Sequence, residues 1–142
     1  MPTLFVDTGY YIAMTDRRDR FHRVATELTR LQMGVPGTRL VTSEIVLVET
    51  LNHMSRGRES RRTAAELVRN VPRDPRMTVV RMSRDLYEAA LALYESRLDK
   101  TYGMVDCISM VVCRERNIEH VLAGDHHFVQ EGFRALLLEG DA

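Results

Sequence analysis

The 142-residue chain is predicted to be an α/β protein, a three-layer α/β/α sandwich around a parallel sheet of about five strands. Short apolar runs alternate with stretches of helical period, and a strand–helix–strand rhythm implies parallel pairing through right-handed crossovers. Apolar residues make up 44% and charged residues 28%, a globular rather than a disordered profile. A chain of this length removes roughly two-thirds of its unfolded surface from water, so one domain over residues 1–142 is expected, without disulfide or metal staples.

Thr3 to Val6 is a compact apolar run and reads as a buried strand. Phe21, Val24, Ala25, Leu28 and Leu31 keep helical spacing until Gly34 and Pro36-Gly37 stop the helix. Arg39 to Thr42 is a short strand. Ser43 can N-cap a helix through Ile45, Val46, Val48 and Leu51 that closes near Gly57. A further helix covers Ser60 to Asn70, ended by Pro72 and Pro75, and Met77 to Met82 has β character. Ser83 caps an amphipathic helix carrying Tyr87, Ala90, Leu91, Tyr94 and Leu98. Met104 to Arg116 is a very apolar helix stopped by Asn117. His120 to Ala123 is a strand, a short helix follows from Asp125, and Arg134 to Leu138 is predicted as the final strand.

Twenty basic residues balance twenty acidic ones, which disfavours a strongly basic nucleic-acid glue but leaves room for a locally basic face. No apolar run reaches membrane-spanning length. The N-terminus lacks a basic region and meets Asp7 at once, so no signal peptide is expected. Cys107 and Cys113 would lie on different faces of one helix and read as reduced core residues, which predicts a cytoplasmic protein.

Most acids sit in mixed-charge stretches such as Asp16-Arg17-Arg18-Asp19. Four do not. Asp7 follows the first strand directly, and Asp125 follows the strand ending at Ala123 after one Gly. Glu49 and Asp106 interrupt apolar helices. Ionised carboxylates avoid apolar surroundings unless paired or metal-bound. Two acids at strand carboxyl ends and two inside helices can converge at one edge of a parallel sheet. No flanking cluster of cations offsets them, so a hard divalent cation, Mg²⁺ or Mn²⁺, resolves the repulsion. Such a site suits phosphoryl chemistry. Each acid also has a plainer reading: Glu49 on a polar helix face beside Asn52 and His53, Asp106 as a helix cap, Asp7 and Asp125 as turn residues.

In this order and spacing the sequence resembles the PIN-domain ribonucleases, in particular the VapC-like toxins of type II toxin–antitoxin pairs. Leu4-Phe5-Val6-Asp7-Thr8 is similar to the family's strand ending in its first acid. Thr42 to Glu49 is similar to the segment bearing the second. Asp99-Lys100 and Gly103-Met104-Val105-Asp106-Cys107-Ile108-Ser109 are similar to the stretch around the third. Leu122-Ala123-Gly124-Asp125-His126-His127-Phe128, with Gly132-Phe133, is similar to the last. The resemblance implies a Mg²⁺- or Mn²⁺-dependent endoribonuclease with Asp7, Glu49, Asp106 and Asp125 as catalytic metal ligands. It also implies an RNA substrate, a small antitoxin partner and a homodimer.

Glu44, in a first helical turn, is read as structural. Val105 and Ala123 stand where the family often carries Thr or Ser, which removes two hydroxyls that could support the carboxylates. Arg56 to Arg76 holds seven Arg against Glu59, Glu66 and Asp74, a net of +4 and the candidate phosphate contact. His126-His127 reads as a turn after the last acid, with a metal or acid–base role as the alternative. Asp7-Thr8-Gly9 is also the aspartic-protease tripeptide, but that enzyme needs a β-rich fold. Asp7 begins no Asp-x-Asp, and no P-loop occurs. The competing function is a catalytically silent PIN-like module that binds RNA or protein.

Overall fold

The computed structural model describes residues 2–140. Five parallel strands form one sheet in the order β3-β2-β1-β4-β5. The first strand, β1 (Thr3–Val6), lies at its centre and pairs with β2 (Arg39–Ser43) on one side and β4 (His120–Leu122) on the other. The outer strands are β3 (Met77–Val80) and β5 (Arg134–Ala135). Leu4, Phe5 and Val6 are buried, as a central parallel strand covered on both faces requires. The chain winds outward from β1 through β2 to β3, then returns to the other side of β1. The strand order therefore reverses between β1 and β4, where a crevice opens beyond the carboxyl ends.

Helices cover the sheet. They are α1 (Thr8–Thr15), α2 (His22–Met33), α3 (Glu44–His53), α4 (Arg58–Asn70), α5 (Arg84–Ser96), α6 (Met104–Glu115), α7 (His126–Gln130) and α8 (Leu136–Gly140). Ser43 and Ser83 cap α3 and α5 as expected, each accepting from the amide three residues on, Val46 and Leu86. Phe5, Met110, Val112, Val121, Phe128 and Leu137 are among the fully buried side chains between sheet and helices. Cys107 and Cys113 are buried and unbridged.

Two elements differ from the sequence reading. Helix α1 has no counterpart in it. Thr8, Tyr10, Tyr11 and Ala13 are all buried, so the segment carries no polar stripe to mark a helical period. The predicted strand Arg134 to Leu138 pairs only through Arg134 and Ala135, after which Leu136–Gly140 turns into α8. Periodicity alone cannot separate strand from helix in a short apolar run, and leucine favours helix. The Leu137 amide donates to the Ala123 carbonyl at 3.2 Å, and Gly140 packs on Val24 of α2 so closely that a Cβ there would meet its Cγ1 at 2.6 Å. Smaller differences lie at the ends: α3 closes at His53, α4 begins at Arg58 after Gly57 at φ 96°, and β3 stops at Val80.

Candidate metal centre

Asp7, Glu49, Asp106 and Asp125 line one cleft of about 550 Å³ at the carboxyl edge of the sheet. Asp7 comes from the end of β1 and Asp125 from the loop after β4, the two strands flanking the crevice. Glu49 projects from α3 and Asp106 from the first turn of α6. The loops after β1 and β4 run close: a Cβ on Gly9 would lie 4.0 Å from the Gly124 amide nitrogen. Gly124 itself lies under the Phe21 ring, which a Cβ would strike, so only glycine lets Phe21 wall the cleft.

Asp7 is the buried member, 7% exposed. Its Oδ1 has no hydrogen-bond partner among the described residues. Although Asp7 occupies the N-cap position of α1, its side chain makes no cap hydrogen bond. Burial, then the charge of Asp106, with Glu49 and Asp125 adding to it, pushes its carboxyl from the ordinary 3.8 up to about 8. Asp106 is raised too, by burial first and by Asp125, against the lowering hydrogen bond from His127.

Each of the other carboxylates is held by named donors. The Thr8 hydroxyl donates to Glu49 Oε1 at 2.5 Å. The Gly103 amide donates to Asp106 Oδ2 at 3.2 Å, and the His127 amide to Asp125 Oδ1 at 2.9 Å. Asp106 thus sits at a helix terminus, as its plainer reading has it, and Asp125, read plainly as a turn residue, caps α7; both are members of the acidic cleft as well. His127 Nδ1 lies 2.9 Å from Asp106 Oδ2 and 3.2 Å from Asp125 Oδ1. Ionised carboxylates only accept, so Nδ1 donates to them, and Nε2 lies 3.1 Å from the Thr101 hydroxyl oxygen. The Tyr102 ring packs against the imidazole with centroids 5.3 Å apart.

Ligand atoms of Asp106, Asp125 and His127 all lie within 4.8 Å of one another, a cluster able to hold a divalent cation with His127 as an unprotonated ligand, while Asp7 and Glu49 line the same cleft outside that cluster. The orphaned, buried Asp7 oxygen in the same cleft fits that use, because a cation would partner it where no donor does. An oxygen-rich donor set suits a hard ion. His127 is the residue that the sequence reads first as a turn, with a metal or acid–base role as the alternative. Its only signal was its position, two residues beyond an acid at a strand end. Glu44 is structural: its Oε1 accepts the Met82 amide at 2.8 Å, tying the end of β3 to α3. Val105 and Ala123 bring no hydroxyl, but Thr8, Gly103 and His127 already orient the carboxylates.

Fold and cleft together define a class, and the family comparison agrees: the PIN domain profile matches residues 4–133, so the chain belongs to the PIN domain family. Among solved structures it is similar to Mycobacterium tuberculosis VapC20, a toxin that cleaves the sarcin–ricin loop. That match has 28% identity and a TM-score of 0.80, and it covers 92% of this chain and 95% of the other. It also shares its fold with VapBC2 from Rickettsia felis, solved bound to a promoter DNA fragment, at 12% identity and a TM-score of 0.64, covering 94% of this chain and 96% of that one. No curated protein matches significantly. Among the described residues, no helix is long and apolar enough to cross a membrane.

Proposed function

We propose that the protein is a Mg²⁺- or Mn²⁺-dependent endoribonuclease, the toxin of a type II toxin–antitoxin pair, with Asp7, Glu49, Asp106 and Asp125 as its catalytic metal ligands. The observation that carries this is one cleft lined by these four carboxylates, with Asp19 at its side, and a buried Asp7 oxygen that no donor among the described residues satisfies. A divalent ion bound there supplies positive charge to the phosphate and lowers the pKa of a water.

The chain's own residues do the rest. Asp7 forms the floor of the cleft and must shed its proton when the site is loaded, so loading favours higher pH. Thr8 fixes the rotamer of Glu49. His127 keeps Asp106 and Asp125 together, with the Thr101 hydroxyl bonded to its other ring nitrogen. The Asp125 side chain, 44% exposed against 18% for Asp106, is open to an incoming substrate. Hydrolysis adds water across the P–O3′ bond and leaves a 5′-phosphate and a 3′-hydroxyl.

Ribosomal RNA is the first substrate to try, given what the VapC20 relative cleaves. Val48, Leu51, Tyr87, Tyr94 and Leu98 are large exposed apolar side chains, which supports contacts with a second copy and with an antitoxin. The test is cleavage of a mixed tRNA and rRNA pool with Mn²⁺, with EDTA and with Asp7→Asn. Metal-dependent cutting that the variant loses, with 5′-phosphate ends, is expected. A folded protein that neither cuts RNA nor binds Mn²⁺ would instead be a silent PIN-like module.

A further inference from the structure

The acidic cleft does not end at its carboxylates. Ile12 and His53 line it, and both also line a second, more polar cleft of about 440 Å³, so the two are neighbours across these side chains. The second cleft is bounded by the segment after α1 and by the start of α4, and it gathers Arg17, Arg18 and Arg56 from regions far apart in sequence. Two acids are present, but each is engaged. Asp16 accepts the Arg18 amide at 2.9 Å and lies 3.7 Å from its guanidinium. Glu59 pairs with Arg62 at 3.1 Å.

Arg17 and Arg56 have no ion-pair partner among the described residues, and both are exposed. The hydroxyls of Ser60 and Thr63 line the same cleft. The basin is therefore a pair of uncommitted guanidinium groups with neutral donors beside them, one wall away from the acidic cleft. An anionic chain crossing the acidic cleft would find its neighbouring charges met there.

We propose that Arg17 and Arg56 bind the backbone phosphates of a single-stranded RNA flanking the scissile bond, with His53 and Ile12 as the ridge over which the strand passes. This rests on the nuclease reading and deepens it. It also narrows the basic stretch Arg56 to Arg76. Arg62 and Arg76 are paired with acids, Arg61 donates to the Ser55 carbonyl, Arg73 donates to Asn70, and Arg58 and Arg69 are not among the residues lining this cleft, whereas Arg17 lies outside that stretch altogether.

The test uses a single-stranded RNA chosen because the wild-type protein cuts it. Steady-state cleavage in Mn²⁺ is measured against salt for wild type, for R17A/R56A, and for R39A/R116A as a charge-matched control. Arg39 opens β2 at the opposite edge of the sheet, and Arg116 follows the far end of α6. For R17A/R56A, KM should rise about tenfold and the slope of log(kcat/KM) against log salt should fall by about 1.4, the loss of two single-strand phosphate contacts. Its kcat, melting temperature and Mn²⁺ affinity should match wild type, and the control should match in every respect. An unchanged KM and slope in R17A/R56A would overturn the proposal and leave the nuclease reading standing. A lowered kcat or Mn²⁺ affinity in R17A/R56A would overturn it too, by placing these residues in the metal site. A wild-type protein that cuts no RNA would remove the nuclease reading and this proposal with it.

Discussion

Replacing Asp7 with Asn should stabilise the metal-free protein. Asp7 is buried, one of its oxygens has no donor, and its carboxyl titrates at about 8 in the fold against an ordinary 3.8. Between these values the folded state holds a proton that the unfolded state has released. Stability therefore falls as pH rises from about 4 to about 8, at up to about 1.36 kcal/mol per pH unit. At pH 7 the interval above 3.8 is about three units, an upper figure of ~4 kcal/mol. Asn never ionises and is free of that slope, though it must still be desolvated, so a gain of about 1–4 kcal/mol is expected, or roughly 4–15 °C in Tm for a chain of this size. Thermal melts in EDTA from pH 5 to 8 measure it. Wild type should lose stability toward pH 8 and Asp7→Asn should lose less. Mn²⁺ at pH 7.5 should raise the Tm of wild type far more than that of the variant. An Asp7→Asn protein no more stable than wild type at pH 7.5 in EDTA would refute the account of Asp7.

Thr8→Val removes the donor on Glu49 and should weaken Mn²⁺ binding about 10–100-fold by calorimetry, with Thr8→Ser restoring it. Glu131 is buried against Arg97 and Arg114, whose hydrogen bonds and charges hold its carboxyl at about 2, well below 4.5. Its contribution is present above pH 4.5 and lost as pH falls toward 2. Glu131→Gln should therefore cost about 1–3 kcal/mol at pH 7 in urea unfolding, and much less near pH 2. Phe128 is fully buried on α7, and Phe128→Ala should cost about 3–5 kcal/mol. A cost under about 1 kcal/mol would mean that α7 is not part of the core.

The legible part of this protein was its strands and the acids at their ends. Asp7 and Asp125 are conspicuous because one follows an apolar run directly and the other after a single Gly, and Glu49 and Asp106 because charge interrupts an apolar helix. The central strand needs no alternation to be read, since both its faces are covered. Helix α1 was illegible for the corresponding reason: half of its residues are buried and none is fully exposed, so it has no polar face and hence no period. The C-terminal run Ala135-Leu136-Leu137-Leu138 could be strand or helix, and only the contacts of Leu137 with Ala123 and of Gly140 with Val24 decide it. The donors that hold the acids are tertiary facts. Thr8 is 41 residues from Glu49 and His127 is 21 from Asp106, spacings that carry no local signature. The same holds for Arg17 and Arg56, which only the fold brings to one cleft.

The most direct measurement is a crystal structure of the protein soaked in Mn²⁺, with data collected for anomalous scattering. The account predicts a peak in the acidic cleft, about 2.0–2.2 Å from oxygens of Asp7 and Asp106, with Glu49 and Asp125 reaching it directly or through water. A cleft that stays empty in saturating Mn²⁺ above pH 8, or an ion held elsewhere without Asp7, would contradict it.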